Sequence, residues 1–291
     1  MPFKQVTIIG TGLIGGSLGL ALKKRHLAGR IVGCDRAPVL KKALECGAIE
    51  AGTTHPADAV SGSDLVVLAT PVIAILDLVE RLGSLSPKTL VTDVGSTKAE
   101  IVQRAAKSFG RNAARRFLAG HPMAGKENAG VEFADADLFE GAAWLFTPLP
   151  GQNVYAGQCG EFIHCAEMVG AKVAVVDPVD HDRFCAWISH LPQMISTALA
   201  AALVDEFGPD APVLDIGGRA LREMTRIAGS PYSMWRDIAI TNRKNLSDVL
   251  HKLEQRLAHI RENLDSRELA AEFERAHQLR KPPPRREKRN R

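Results

Sequence analysis

VTIIGTGLIGGS, residues 6–17, begins as an apolar run rich in β-branched residues. It then passes through three glycines, Gly10, Gly12 and Gly15, in GxGxxG spacing. The helical pattern SLGLALKKRHL follows at once. A strand that ends in such a turn and opens a helix is the start of a βαβ unit built around a phosphate-binding turn. Each glycine has its own task there. Gly10 makes the tight turn, Gly12 lets backbone approach a pyrophosphate, and Gly15 lets helix and strand pack closely. Leu13 and Ile14 open the helix, whose free N–H groups suit an anion. Asp35 stands twenty residues after Gly15, at the end of the next apolar run IVGCD (31–35). A carboxylate in that place accepts bonds from a ribose 2′-hydroxyl and repels a 2′-phosphate, which favours NAD. Arg36 beside it keeps NADP open.

The same alternation continues along the chain. VLKKALECGA reads as a helix, DLVVLATP (64–71) as a strand, and VIAILDLVERLG as a helix whose first turn accommodates Pro71. TLVTDVG (89–95) and AEIVQRAAKSF repeat the pair, and RFLAG, AAWLFTP (142–148) and AKVAVVD (171–177) complete the strand series. Strands alternating with helical patterns predict an α/β fold with a parallel, doubly wound sheet covered on both faces. Past residue 177 the strands stop. Residues 182–207 read as one helix, with Pro192 removing a ladder bond and kinking it. Leu246, Leu250, Leu253, Leu257, Ile260 and Leu264 then form a short a/d seam suited to packing against another helix, within the chain or across a homodimer. The expected organisation is a Rossmann-type domain over 1–177, an all-helical dimerisation and substrate domain over 178–279, and a basic, disordered tail over 280–291.

That tail explains the net charge of +4. RKPPPRREKRNR holds seven of the Lys/Arg residues and a single Glu, so the remainder is slightly acidic. A basic balance confined to such a tail argues against a nucleic-acid partner. No membrane-spanning run and no secretory leader are expected. The five cysteines form no CxxC pair and read as buried thiols in a reducing cytoplasm.

Ligands in such sheets lie beyond the carboxyl ends of the strands. LATP with Thr70 and Pro71, VTDVGSTK, and LAGHPMAGKENAGVE (118–132) all converge on that edge. Thr97 to Glu100 reads as a capping box, leaving Ser96 free to point into the cleft. His121 has two readings: a turn histidine bonded to backbone, or the base that a nicotinamide site needs. His181 reads as a helix-start cap. No third ligand stands at a useful spacing from it, so no metal is expected.

GxGxxGGS, DxGSxK, GHPMAG, HDxxxxxxSHLP (His181 to Pro192) and TRIAGSPYSMWRDI (225–238) occur in this order. Together they resemble the prephenate/arogenate (cyclohexadienyl) dehydrogenase family over roughly residues 4–270. The resemblance implies tyrosine biosynthesis, namely NAD(P)-dependent oxidative decarboxylation of prephenate or arogenate by a cytoplasmic homodimer. It also implies that His121 is catalytic and assisted by Ser96. His190, Arg226 and Trp235 would lie in the substrate pocket, with Gln193 in the polar patch beside His190. Lys126 replaces a small hydroxylated residue found in many relatives, and at the pocket mouth it could attract an extra carboxylate. Two other readings remain at this point. One is a β-hydroxyacid dehydrogenase-like or imine-reducing enzyme, and the other is an NAD-binding sensor without turnover.

Overall fold

The structure is a computed structural model that describes residues 1–83, 88–126 and 128–280; most of the basic tail lies outside the described residues. Two compact units are present, Met1–Leu246 and Ser247–Arg291.

The first unit is built on an eight-stranded sheet in the order β3-β2-β1-β4-β5-β6-β7-β8. Its strands are β1 (Phe3–Ile9), β2 (Ala28–Cys34), β3 (Ala51–Thr53), β4 (Leu65–Leu68), β5 (Leu90–Asp93), β6 (Phe117–Pro122), β7 (Ala143–Thr147) and β8 (Lys172–Val175). The helices between them are α1 (Leu13–Lys24), α2 (Ala37–Glu45), α3 (Pro56–Ala59), α4 (Val72–Leu82), α5 (Ala99–Phe109), α6 (Ala113–Arg116) and α7 (Gly157–Met168). The three-residue β3 was not expected from the sequence.

β4 shows why the sheet is covered on both faces. Leu65 and Val67 join one apolar layer, with Ile8, Leu18, Ile31 and Trp144. Val66 and Leu68 join the opposite layer, with Ile75, Val79, Ile101 and Phe117. A strand buried on both sides must be apolar at every position, and LVVL is.

One expectation needs correcting. The sheet is parallel from β3 through β6, but β7 pairs with β6 antiparallel, and β8 then runs parallel to β7. Among the described residues of 123–142, between β6 and β7, there is only the short 3₁₀ turn Val131–Phe133 and no crossover helix. A parallel return needs a dozen or more residues that cross the sheet, usually as an α-helix. The chain instead stays at the edge where β6 ends and re-enters beside it. That edge therefore carries a long loop directly beyond His121.

After β8 come α8 (Pro178–Cys185), a π-helical turn (Ala186–His190), α9 (Leu191–Phe207), α10 (Arg219–Thr225), α11 (Tyr232–Thr241), and α12 (Arg243–Glu262). The π turn ends two residues before Pro192. It widens the helix where the proline ring would otherwise collide with the preceding turn. Pro192 thus sits in the first turn of α9 rather than inside a regular helix. In contrast to the sequence expectation, the continuous run Pro178–Phe207 is long and apolar enough to cross a membrane by length and composition. Phe184, Trp187, Ile188, Val204 and Phe207 on it are exposed.

In the second unit, α12 continues to Glu262 and is followed by α13 (Arg267–Gln278), capped by Ser266, whose hydroxyl accepts from the Glu268 N–H. Arg256 and Glu272 join α12 to α13 at 2.6 Å. Of the leucine seam, Leu257 and Leu264 are exposed. Four cysteines are buried as expected, but Cys46 is exposed.

Candidate active site

The strand order reverses direction between β1 and β4, which opens a crevice at their carboxyl ends. Gly10 lies there with φ +95°, a left-handed conformation that favours glycine. A Cβ on it would stand 2.5 Å from the Ala69 carbonyl oxygen, so only glycine lets the two strand ends meet. A Cβ on Gly15 would fall on the Gly10 carbonyl oxygen, whereas a Cβ on Gly12 would meet nothing within 4 Å. Gly12 therefore faces open space at the N-terminus of α1, which no side chain caps. A dinucleotide pyrophosphate fits that cradle, where unused N–H groups and the helix dipole favour negative charge. The buried Thr70 hydroxyl there is also without a partner among the described residues.

Two adjoining clefts meet at Thr70. One, of about 500 Å³, is lined by Gly10, Asp35, Arg36, Pro56 and Arg81. It suits the adenosine half of a dinucleotide. The Asp35 carboxylate accepts from the N–H groups of Thr11 (2.8 Å) and Arg36 (2.7 Å), so it is held just beyond the end of β2 in the lining of this cleft. Gly15→Ala is expected to weaken NAD binding at least tenfold, because the added methyl must push α1 off β1. Fluorescence titration with NAD measures this, and unchanged affinity counts against the close packing described.

The second cleft, of about 530 Å³, is lined by Leu13, Ile14, Pro71, Ser96, His121, Lys126 and Trp235, among others. His121 is the penultimate residue of β6 and pairs with Leu145 in the ladder, so it is a strand residue. Its ring is buried, with 7% of the residue exposed. Its Nδ1 lies 2.9 Å from His181 Nε2, and His181 Nδ1 lies 2.8 Å from Asp182 Oδ1. The Asp182 carboxylate also accepts from the backbone N–H groups of Lys98 (2.7 Å) and Ala99 (2.9 Å).

This chain of bonds fixes the tautomers. A carboxylate can only accept, so His181 carries its proton on Nδ1 and offers Nε2 as an acceptor. His121 must then donate from Nδ1, which leaves the Nε2 lone pair for the cleft. Burial holds the His121 pKa well below the ordinary histidine range, and His181, Lys98 and His190 add to the effect. Burial also lowers His181, opposed by its bond to Asp182.

His181 therefore is not the cap of α8. That cap is Asp177, whose carboxylate accepts from Val179 and Asp180. Nor does Thr97 cap α5, because its hydroxyl bonds that of Thr241 at 2.8 Å. Asp182 reaches over from α8 to the α5 N-terminus instead. Asp237 of α11 does the same for α4, accepting from the Ile73 N–H at 3.2 Å. Two aspartates from the helical segment thus dock onto two helix N-termini at the carboxyl edge of the sheet, where their charge opposes the helix dipoles. The expectation that no third metal-binding group stands near His181 also fails. Cys185, one turn along α8, brings its sulfur to 3.5 Å from His181 Nε2 and 4.0 Å from His121 Nδ1.

Beneath His121 lies a fully buried ion pair. Lys98 Nζ contacts the Asp93 carboxylate and donates to the Gly120 carbonyl at 2.7 Å. Asp93 also accepts from Gly95 (2.8 Å) and Gly120 (3.3 Å). Burial pushes the Lys98 pKa down and the Asp93 pKa up, and their mutual contact opposes both shifts.

The remaining expected substrate residues are spread more widely. Trp235 lines the cleft, and its indole N–H is buried without a partner among the described residues. His190 lies behind it, edge to face at 6.0 Å, fully buried and outside the lining. Its Nδ1 lies 3.2 Å from Asn242 Nδ2, its Nε2 has no partner among the described residues, and burial lowers its pKa to about 4. Gln193 is buried and donates to the Ile227 carbonyl at 3.0 Å. Arg226 is exposed, at the start of a 3₁₀ turn, and does not line the cleft. Lys126 does line it, and its ammonium donates to Asp135 at 3.2 Å and to the Phe133 carbonyl at 3.1 Å.

Family models agree with this geometry. The prephenate dehydrogenase nucleotide-binding domain matches residues 18–175, and the prephenate dehydrogenase dimerization domain matches 177–278. The chain is 30% identical over 267 residues to the prephenate dehydrogenase of Lactococcus lactis, covering 87% of this chain and 72% of that protein. It is similar to the prephenate dehydrogenase of A. aeolicus solved with hydroxyphenyl propionate and NAD+, at 32% identity, TM-score 0.82 and 95% coverage of both chains. The arogenate dehydrogenase of Synechocystis matches at 29% identity and TM-score 0.75, over 95% of this chain and 98% of that one. An NAD-dependent dehydrogenase fold, a cleft histidine bonded through His181 to Asp182, and these matches together place the chain in the prephenate dehydrogenase family.

Proposed function

We propose that this chain oxidatively decarboxylates prephenate or arogenate with NAD, using His121 as the general base. The observation that carries the reading is the Asp182–His181–His121 chain, which leaves an unprotonated Nε2 facing a cleft contiguous with the dinucleotide crevice. Bound nicotinamide supplies the hydride acceptor. His121 Nε2 takes the ring 4-hydroxyl proton as hydride leaves the same carbon. The ketone that develops draws electrons from the opposite carbon, whose carboxylate departs as carbon dioxide, and aromatisation drives the step. As His121 becomes positively charged, Nδ1–H tightens on His181 and Asp182 lies two bonds behind to stabilise the charge. His181 and Asp182 are positioning residues. Ser96 shares the lining, which supports a role for its hydroxyl in holding the substrate hydroxyl or the cofactor amide. Trp235 offers an apolar wall with one free donor.

The helical segment supports a homodimer. Exposed Phe184 on α8, Trp187 and Ile188 on the π-helical turn, and Phe207 at the end of α9 offer apolar surface that a second copy covers better than water. On this reading residues 1–177 hold cofactor and 178–279 complete the substrate site and the dimer. Exposed Arg226, outside the cleft in one chain, is assigned to the substrate carboxylate, with its guanidinium as a bidentate clamp. Lys126, already tied to Asp135, tunes the mouth of the cleft. The protein works in the cytoplasm on a small diffusible acid, with neither nucleic acid nor membrane as partner.

Reduced-cofactor formation with prephenate or arogenate, each with NAD or NADP, tests the reading. Turnover with either acid, faster with NAD because of Asp35, is expected; NAD binding without turnover on either acid overturns it. The pH profile gives a second check. Because the His121 pKa is lowered, the base stays unprotonated as pH falls, and kcat/KM should decline only below about 6.5. A decline starting above that value would assign the limb to another group.

A further inference from the structure

We propose that His121 Nδ1, His181 Nε2 and Cys185 Sγ form an inhibitory site for a thiophilic divalent cation of the zinc class. The three atoms come from β6 and α8 and lie within 4.8 Å of one another, all buried. Their separations are 2.9, 3.5 and 4.0 Å. A tetrahedral ion with ordinary Zn–N and Zn–S bonds holds its donors roughly 3.3–3.6 Å apart. Small side-chain rotations therefore convert the hydrogen-bonded triangle into three ligand directions, with the fourth left for water. His181 already donates its other nitrogen to Asp182, the carboxylate–histidine support that orients metal-ligating imidazoles.

Charge and protonation agree with this assignment. Burial keeps both imidazoles neutral, as ligands must be. Burial pushes the Cys185 thiol up to about 12, so it stays protonated until a cation displaces the proton. Among the described residues, the groups facing the cluster include the Asp182 carboxylate, the Lys98 ammonium with its partner Asp93, and the His190 imidazole.

The cation replaces the thiol proton, which leaves to solvent, and a thiolate–metal bond forms without any redox change. The His121 proton moves from Nδ1 to Nε2, because Nδ1 now donates its lone pair to the metal. The ring then presents an N–H to the cleft instead of a base, so the ion that binds also stops turnover. The inhibitory consequence rests on His121 being the base; the binding itself does not.

Titration of the intact, metal-free protein with Co2+ reads the binding without activity. One equivalent per chain is expected to give a thiolate-to-cobalt charge-transfer band and the d–d bands of a tetrahedral site, displaced by Zn2+. Cys185→Ala, and Cys185→Ser in case the alanine variant fails to fold, should lose the band and weaken affinity by at least about 10–100-fold. Cys46→Ser, at the exposed thiol, should leave it intact. Absence of the band in the wild type, or a band that survives in the Cys185 variants, overturns the proposal. In the activity assay Zn2+ should inhibit the wild type, reversibly on chelation, and inhibit Cys185→Ala at least tenfold less. Cobalt binding at Cys185 with no inhibition would keep the site and remove the base assignment of His121.

Discussion

Replacing His121 with asparagine lowers kcat by roughly 10²–10⁴-fold, the usual contribution of a positioned general base, and leaves NAD affinity unchanged. Asparagine is the informative choice because its amide N–H can still donate to His181 Nε2, which keeps the buried bond seen at 2.9 Å. What it removes is the basic nitrogen on the cleft side. A loss of turnover therefore reports proton transfer and not collapse of the pocket. The cofactor cradle at Gly12 and the Asp35 carboxylate belong to β1, α1 and β2, and His121 does not touch them. Steady-state kinetics with a parallel NAD titration settles the matter. Full turnover in the variant would return His121 to a structural role.

The largest stability effect is expected at Lys98. Lys98→Met leaves the Asp93 carboxylate buried with only the Gly95 and Gly120 N–H groups. Removing one member of a buried pair costs about 3–5 kcal/mol, since the remaining charge cannot be rehydrated. The sign of the pH dependence follows from the same burial, which already raises the Asp93 pKa. Without Lys98 it rises further, so the folded variant holds a proton that the unfolded chain releases near pH 4. Stability of the variant then falls as pH rises above that value, and its deficit against wild type shrinks as pH falls back towards it. Urea denaturation at neutral and mildly acidic pH checks both parts. A deficit under about 1 kcal/mol at neutral pH would show that the pair contributes little.

Much of the site was legible because the residues involved act through local sequence. The glycines of the first turn, Asp35 at the second strand end, and the convergence of His121 and Ser96 on one cleft each follow from a strand that ends at a known edge. The parts that were not legible depend on contacts between distant segments. His181 looked like a helix cap because caps are local, yet its partner is sixty residues away. Asp182 and Asp237 cap helices that they do not belong to, and no spacing rule reveals such a cap. Lys98 stands inside the stretch that reads as a capping box, and nothing local marks it as buried, since lysine is rarely buried without a charge partner. Asp93, five residues earlier on β5, is that partner. The reversed strands β7 and β8 had a readable signal in the missing crossover helix between residues 122 and 143. Apolar composition alone does not carry strand direction.

Simultaneous measurement of reduced nicotinamide and released carbon dioxide, with prephenate or arogenate as substrate, tests the proposed chemistry most directly. One carbon dioxide for each hydride transferred is expected, with both lost together in the His121→Asn variant. Reduced cofactor without carbon dioxide would show a simple alcohol oxidation of the β-hydroxyacid type, and would contradict the oxidative decarboxylation proposed for this cleft.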